Sequence, residues 1–287
     1  MDSMHEPGFY SGKAVALLTQ HGKERMIAPI LDAALGCRVM RVDGYDTDQL
    51  GTFTREIPRA GTQLDAARSK ARMGMALAGL PLGLASEGAF GTDPMIGMFP
   101  WNVEVLIWID DVQELEVVGV AQGKANFAHL LTRDWTEAAA FARQWEFPGH
   151  ELVARPHQAD DLSCMRKGIA SWRDLEAGFA WALQASATGT ALLETDVRAH
   201  ANPTRQANIR RAAENLANKL RSLCPDCGAP GFWCIEQVPG RPCKACGAPT
   251  SEPLADVLAC VKCTHRATRE HGDGTSADPA CCDYCNP

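Results

Sequence analysis

Ten of the twelve cysteines follow residue 223, and eight of them form four Cys-x-x-Cys pairs: Cys224/Cys227, Cys243/Cys246, Cys260/Cys263 and Cys282/Cys285. In a reducing compartment, thiols at this spacing bind metal rather than form disulfides. Zinc takes four thiolates in a tetrahedron, so eight cysteines predict two closed sites and two structural zinc ions. The first two pairs, CPDCG and CKACG, carry a glycine after the second cysteine, which lets backbone amides turn toward the thiolates. The pairing expected here is sequential, first with second and third with fourth. Every spacer also allows a crossed or nested pairing. Cys234, Cys281, His265 and His271 are the possible substitutes. Four thiolates leave no open coordination position, so these centres hold structure and do no catalysis. Cys37 and Cys164 stand among apolar neighbours and read as packing residues.

A second set of reactive side chains lies upstream. Glu87 sits in Ser86-Glu87-Gly88, a carboxylate beside glycine, and is a candidate to hold metal or face phosphate; the plain alternative is an exposed loop acid. Lys23 closes the segment Thr19-Gln20-His21-Gly22-Lys23 and would reach a phosphate there, unless it is simply solvated. Glu104 is an acid within the apolar run VEVLIWID, and it points either into the cleft of Glu87 or outward from an edge. Asp196, Arg198, His200 and Arg205 together would bind a phosphate or carboxylate; alternatively Asp196 pairs with an arginine and fixes the local junction. The loop from Pro156 to Ile169 carries His157, Asp160, Asp161, Arg166 and Lys167, and lines a site or is merely solvated.

The elements that must position these groups follow from periodicity. Ala14–Leu18 reads as a central strand, Met26 to Ala34 as a helix closed by Gly36, and Cys37–Asp43 as a second strand, which makes a βαβ unit. Thr19–Lys23 then lies at a strand end and a helix start, where the dipole favours anions. A polar loop from Asp43 leads to Thr52–Ile57. Leu64, Ala67, Ala71, Met75 and Ala78 predict one face of a long helix that Gly79 and Pro81 stop. A short strand, Leu82–Ala85, follows, with Glu87 at its exit. Val103–Asp110 and Glu116–Ala121 predict a hairpin. Later come a helix over 132–145 capped by Thr132 or Asp134, a strand over 151–155, a helix over 172–185 and a strand over 191–195. The last helix runs from 204 to 223, with Asn202 and Pro203 as N-cap and first residue. The expected class is α/β, a mixed twisted sheet flanked by helices over 1–222, with a double zinc ribbon over 223–287. The second segment has too small a core to fold without metal.

The chain has 287 residues and a formal charge of −7. That balance disfavours non-specific nucleic-acid binding. No apolar run reaches the length of a membrane span, and the N-terminus lacks the pattern of a secretory signal. A cytoplasmic location is expected.

With this order in place, the first hundred residues resemble the inosine-triphosphate and Maf-type nucleotide pyrophosphatases. The family's Thr-Asn-x-x-Lys-like loop is matched by Thr19–Lys23, and its Glu-Asn-Ala-x-x-Lys-Ala-like helix motif by Asp65-Ala66-Ala67-Arg68-Ser69-Lys70-Ala71. Its acidic strand end before glycine is matched by Ser86-Glu87-Gly88. The resemblance implies a nucleotide or another small phosphate ester as substrate, Lys23 and Lys70 on phosphates, and Asp65 and Glu87 on Mg²⁺ or Mn²⁺. It makes Glu87, Lys23 and Lys70 the catalytic set, and the family's Ser-His-Arg has a loose echo in Ala199-His200 and Arg205; the residues expected on substrate are Thr19, Asp196, Arg198, His200 and Arg205. Two family positions differ: its helical Asn is Ala66, and its paired acids are Ala85-Ser86-Glu87. The full length, with EGAFG, TDVRAH and the cysteine tail, also resembles an uncharacterised bacterial family. The competing reading is a non-catalytic zinc-ribbon adaptor for a protein or RNA. A third is homodimerisation through the zinc module.

Overall fold

The computed structural model describes residues 8–45, 61–157, 164–272, 274 and 276–287. Thr52–Ile57, Asp160 and Asp161, all considered above, lie outside these residues. The chain divides into two compact units, one of residues 1–112 and 118–217, the other of 113–117 and 218–287.

In the first unit, β1 (Ala14–Leu18), α1 (Glu24–Leu35) and β2 (Arg38–Val42) form the expected βαβ start, with β1 and β2 parallel from Ala14↔Arg38 to Leu18↔Val42. Gly36 ends α1 with φ 67°, a conformation that side chains with a Cβ resist. Helix α2 (Gln63–Ala78) begins in a capping box: Thr62 accepts from the Asp65 amide, and the Asp65 carboxylate accepts from the Thr62 amide. Gly79, again left-handed, ends it.

Strand β3 (Leu82–Thr92) lies parallel to β1 and antiparallel to β4 (Pro100–Asp110), and β5 (Leu115–Lys124) completes the sheet in the order β2-β1-β3-β4-β5. Ala67, Ala71 and Met75 of α2 cover Ala85, Ile107 and Ile109. Each fully buried Met or Ile side chain contributes roughly 1.5–3 kcal/mol.

One expectation needs correction. Glu87 is not at a strand exit. Polar Ser86-Glu87-Gly88 interrupts the apolar run, yet β4 keeps pairing through it, from Leu82↔Asp110 to Thr92↔Pro100. Pairing with β1 stops at Leu17↔Leu84. Ser86, Glu87 and Gly88 therefore lie just past the C-terminal end of β1, in the middle of β3.

The later strands do not join this sheet. β6 (His129–Thr132), β7 (Leu152–Pro156), β8 (Arg166–Ile169) and β9 (Ala191–Thr195) form a second, antiparallel sheet in the order β6-β9-β7-β8. It packs with α3 (Trp135–Gln144) and α4 (Trp172–Ala185) through Phe141, Leu152, Leu175, Phe179 and Leu193. Asp134 is the α3 cap, accepting from Thr136 N at 2.7 Å. Helix α5 (Pro203–Arg221) opens on Asn202, whose Oδ1 accepts from Arg205 N at 2.9 Å.

The second unit holds β10 (Trp233–Pro239), β11 (Pro253–Ala259) and β12 (Arg266–Glu270), an antiparallel meander in that order. No helix of the described residues is long and apolar enough to cross a membrane.

Candidate functional site

The eight cysteines gather into two groups of four, Cys224, Cys227, Cys260 and Cys263, and Cys243, Cys246, Cys282 and Cys285. The first pair thus joins the third and the second joins the fourth, which overturns the sequential pairing. The meander is the reason. The first group sits where β10 starts, β11 ends and β12 starts; the second sits where β10 ends, β11 starts and β12 has ended. Sγ···Sγ distances across the pairs are 3.7 and 3.6 Å in the first group and 3.8 and 3.6 Å in the second. Zn–S bonds of about 2.3 Å define a tetrahedron with edges of roughly 3.8 Å. The thiol sets therefore fit zinc, and each group could hold one ion.

Gly228 (φ 71°) and Gly247 (φ 74°) make the turn after each CxxC, sending their amides to the carbonyls of Cys224 and Cys243. In the third pair, the amides of Lys262 and Cys263 point at Cys260 Sγ, at 3.3 and 3.4 Å. None of the four substitute ligands belongs to either group. His271 instead lies between Asp256 and Arg241.

In the α/β unit, five charged side chains converge around β3. Lys70 of α2 forms an ion pair with Glu87, and both are largely buried. Arg205 of α5 pairs with Glu104 of β4, Nε to Oε1 at 2.7 Å, with side chains 1% and 0% exposed. Lys23, at the start of α1, donates to Ser86 O at 2.6 Å and lies 3.4 Å from Ser86 Oγ. Burial pushes the Lys23 ammonium down to about 8, and Arg205 and Lys70 add to that push against the opposing pull of Glu104 and Glu87.

The strand register fixes how these groups are arranged. Glu87 lies opposite Val105, and Glu104 lies opposite Gly88. Cross-strand partners share a face and neighbours along a strand alternate. Glu87 and Glu104 therefore leave opposite faces of the sheet, and the single cleft expected for them does not form. Lys23 bonds the backbone of β3 at Ser86, the residue before Glu87, and feels both carboxylates. Gln63 secures the other side of this stretch, its Nε2 donating to Glu87 O at 2.7 Å and Val103 O at 2.9 Å.

The remaining expected residues divide. Thr19 is buried just after β1. Asp65 is half exposed and its carboxylate serves the α2 cap and Arg68, while that of Glu87 is engaged with Lys70. The carboxylate pair expected for Mg²⁺ or Mn²⁺ is not assembled, and among the described residues only the cysteines form groups of three or more metal-ligating side chains. Asp196 accepts from Arg198 Nε and Nη2, at 3.0 and 2.6 Å, and from the amides of Arg198 and Gly168. Burial raises its carboxyl, but these donors outweigh that and hold it below the usual range. Asp196 and Arg198 thus form the structural pair of the plainer reading. His200 is exposed and its ring lies 5.7 Å from that of His21.

A family profile described as a domain of unknown function, DUF6671, matches residues 70–287. The chain belongs to the DUF6671 family. No curated protein matches it. The DUF6671 match takes in Lys70, Glu87, Glu104, Arg205 and all eight paired cysteines, and starts downstream of β1 and Lys23.

Sequence reasoning missed two asparagines that hold this DUF6671 site together. Asn102 donates to Glu104 Oε1 at 3.1 Å and to Ala89 O, and accepts from Asn208 Nδ2 at 2.9 Å. The signal was present: Asn102 and Glu104 are polar residues at alternate positions of the strand, on the face that Leu106 and Trp108 continue.

Proposed function

We propose that the α/β unit binds a phosphorylated small molecule, a nucleotide by preference, beyond the C-terminal end of β1, and hydrolyses its phosphate chain. One observation carries the reading. Lys23, Lys70 and Arg205 bring three positive charges and Glu87 and Glu104 two negative ones; the two carboxylates already pair with Lys70 and Arg205, while Lys23 forms no ion pair among the described residues. A buried cation whose hydrogen-bond partner is neutral and whose nearby carboxylates are already paired is costly, and an anionic ligand removes that cost. Perturbed lysines of this kind mark functional sites. The resemblance of Thr19–Lys23 and of Asp65–Ala71 to nucleotide pyrophosphatases points the same way.

The cations of the chain would stabilise charge developing on the phosphate oxygens. The residues present do not assemble a Mg²⁺ or Mn²⁺ site, so no step is assigned to such an ion. The zinc centres would fix the second unit, and their thiolates suit the reducing environment of the cytoplasm.

The test is release of phosphate or pyrophosphate from a panel of nucleoside triphosphates by the full, zinc-loaded chain, with and without Mg²⁺. Turnover that falls in Lys70→Met and Glu87→Gln, with zinc content unchanged, supports the reading. No turnover and no thermal shift with any nucleotide overturns it.

A second reading, a binding adaptor, has one observation in its favour. Met95, Ile96, Met98 and Phe99 expose 89, 61, 76 and 55% of their surface on one loop, a display typical of interaction sites. Absence of turnover together with a defined complex lost on Met95→Ser would favour it.

A further inference from the structure

Glu104 is held in an unusual way. Its Oε1 takes two donors, Arg205 Nε at 2.7 Å and Asn102 Nδ2 at 3.1 Å. Those donors are themselves fixed: Arg205 Nη1 donates to Val197 O at 2.6 Å, and Asn102 is gripped by Asn208. Gly88, directly opposite, leaves room for the pair, because a Cβ there would collide with Glu104 and the Arg205 guanidinium. The second oxygen, Oε2, is buried and has no hydrogen-bond partner among the described residues. A buried carboxylate oxygen without a donor is costly in a merely structural ion pair, and a donor from a water or a ligand removes that cost. One oxygen is saturated to fix the side chain and the other is left to accept.

We propose that Glu104, through Oε2, positions and deprotonates the water that attacks the phosphate. This rests on the phosphohydrolase reading above. In the step, the water oxygen forms a bond to phosphorus as its proton passes to Glu104. The bond from phosphorus to the leaving phosphate oxygen breaks, and that oxygen keeps the electron pair beside the site's cations. Arg205 and Asn102 are positioning residues, since they act through Glu104. Lys23, held at Ser86 of the same strand and within electrostatic reach of Glu104, has the phosphate-binding part.

The experiment uses the full, zinc-loaded chain and the nucleotide that the wild type turns over best. Glu104→Gln keeps the shape but loses the base; Glu104→Asp keeps the charge that Arg205 needs but withdraws the accepting oxygen. Both are expected to lower turnover about 100-fold or more, the size of a lost general base. Both are expected to keep the nucleotide-induced thermal shift and two zinc ions per chain. The rate that remains in Glu104→Gln is expected to lose its dependence on the acidic side of the pH profile, which a structural role would not alter. Either variant folding and turning over at the wild-type rate overturns the proposal, and so does failure of both to fold, which would make Glu104 a structural residue. A wild type without turnover sinks the phosphohydrolase reading itself, a distinguishable result.

Discussion

Lys23 shows what a single buried charge costs and what it implies. Its ammonium is lowered from an ordinary 10.5 to about 8. Between those values the unfolded chain binds more protons than the folded one, so stability rises as pH increases through that window. At neutral pH, below both values, the charge costs the fold roughly 3 kcal/mol. Lys23→Met removes that cost and also the hydrogen bond to Ser86. The expected net effect is a gain of about 1–2 kcal/mol, seen as a higher Tm at pH 7 that shrinks toward the wild-type value at pH 10. Nucleotide-induced stabilisation should disappear in the same variant. A drop in Tm at pH 7 would instead make Lys23 a structural residue. Gly88 is the complementary case, where the absence of a side chain matters. Gly88→Ala should cost about 1–3 kcal/mol as an overpacked site and should release the Glu104–Arg205 pair, checked by denaturant melts beside a turnover assay. The place of Lys23 at the end of a strand-to-helix loop was legible in the sequence; that it is buried against Ser86 rather than solvated was not. The partner of Glu104 was not, because it lies 101 positions away and depends on strand register.

At the scale of elements, the loop after β3 is built around one acid. Asp93 accepts from the amides of Met95, Ile96, Met98 and Phe99, at 3.2, 2.9, 2.8 and 2.8 Å. Its own amide and carbonyl meet Phe99 O and Gly97 N. The polar backbone is thus turned inward and the large apolar side chains outward. These amides hold the Asp93 carboxyl down at about 2. A depressed acid stabilises the fold above its unfolded value, near 4, and that stability is lost as pH falls through about 2. Asp93→Asn should therefore melt earlier than wild type at pH 7, with the gap closing between pH 4 and 2. A gap that is constant with pH would mean that the carboxylate charge does not hold the loop. Little of this was visible beforehand. Gly91 to Pro100 announced a loop, but nothing in Asp-Pro-Met-Ile showed that the aspartate caps four amides. Helices α1, α2 and α5 were legible because their Gly, Asn or Pro boundaries are local, and α4 because its apolar spacing is. β3 was read short because local polarity suggested a stop, while its ladder to β4 is non-local. The four-residue β6 was not seen, being too short for periodicity to register.

At the scale of the whole chain, the two four-cysteine groups show a preference for topology over proximity. Joining the first pair to the third closes a loop about twice as long as joining it to the second. Doubling a loop costs only about 0.6 kcal/mol, far less than the antiparallel ladders of β10, β11 and β12 contribute. Sequence distance, the basis of the sequential expectation, is therefore a weak guide, whereas cysteine spacing and the following glycines are strong ones. The crossed pairing makes a prediction with opposite outcomes for the two arrangements. In the crossed arrangement Cys224 and Cys260 share a site, while Cys224 and Cys243 belong to different ones. Cys224→Ser with Cys260→Ser should leave one zinc per chain by metal analysis. Cys224→Ser with Cys243→Ser should leave none, and should unfold the second unit, because binding and folding are coupled in so small a core. Sequential sites would reverse the two results. Since each site gathers ends of all three strands, losing either ion should loosen the entire meander, and hydrogen exchange of the β11 amides should rise even when the other site stays filled.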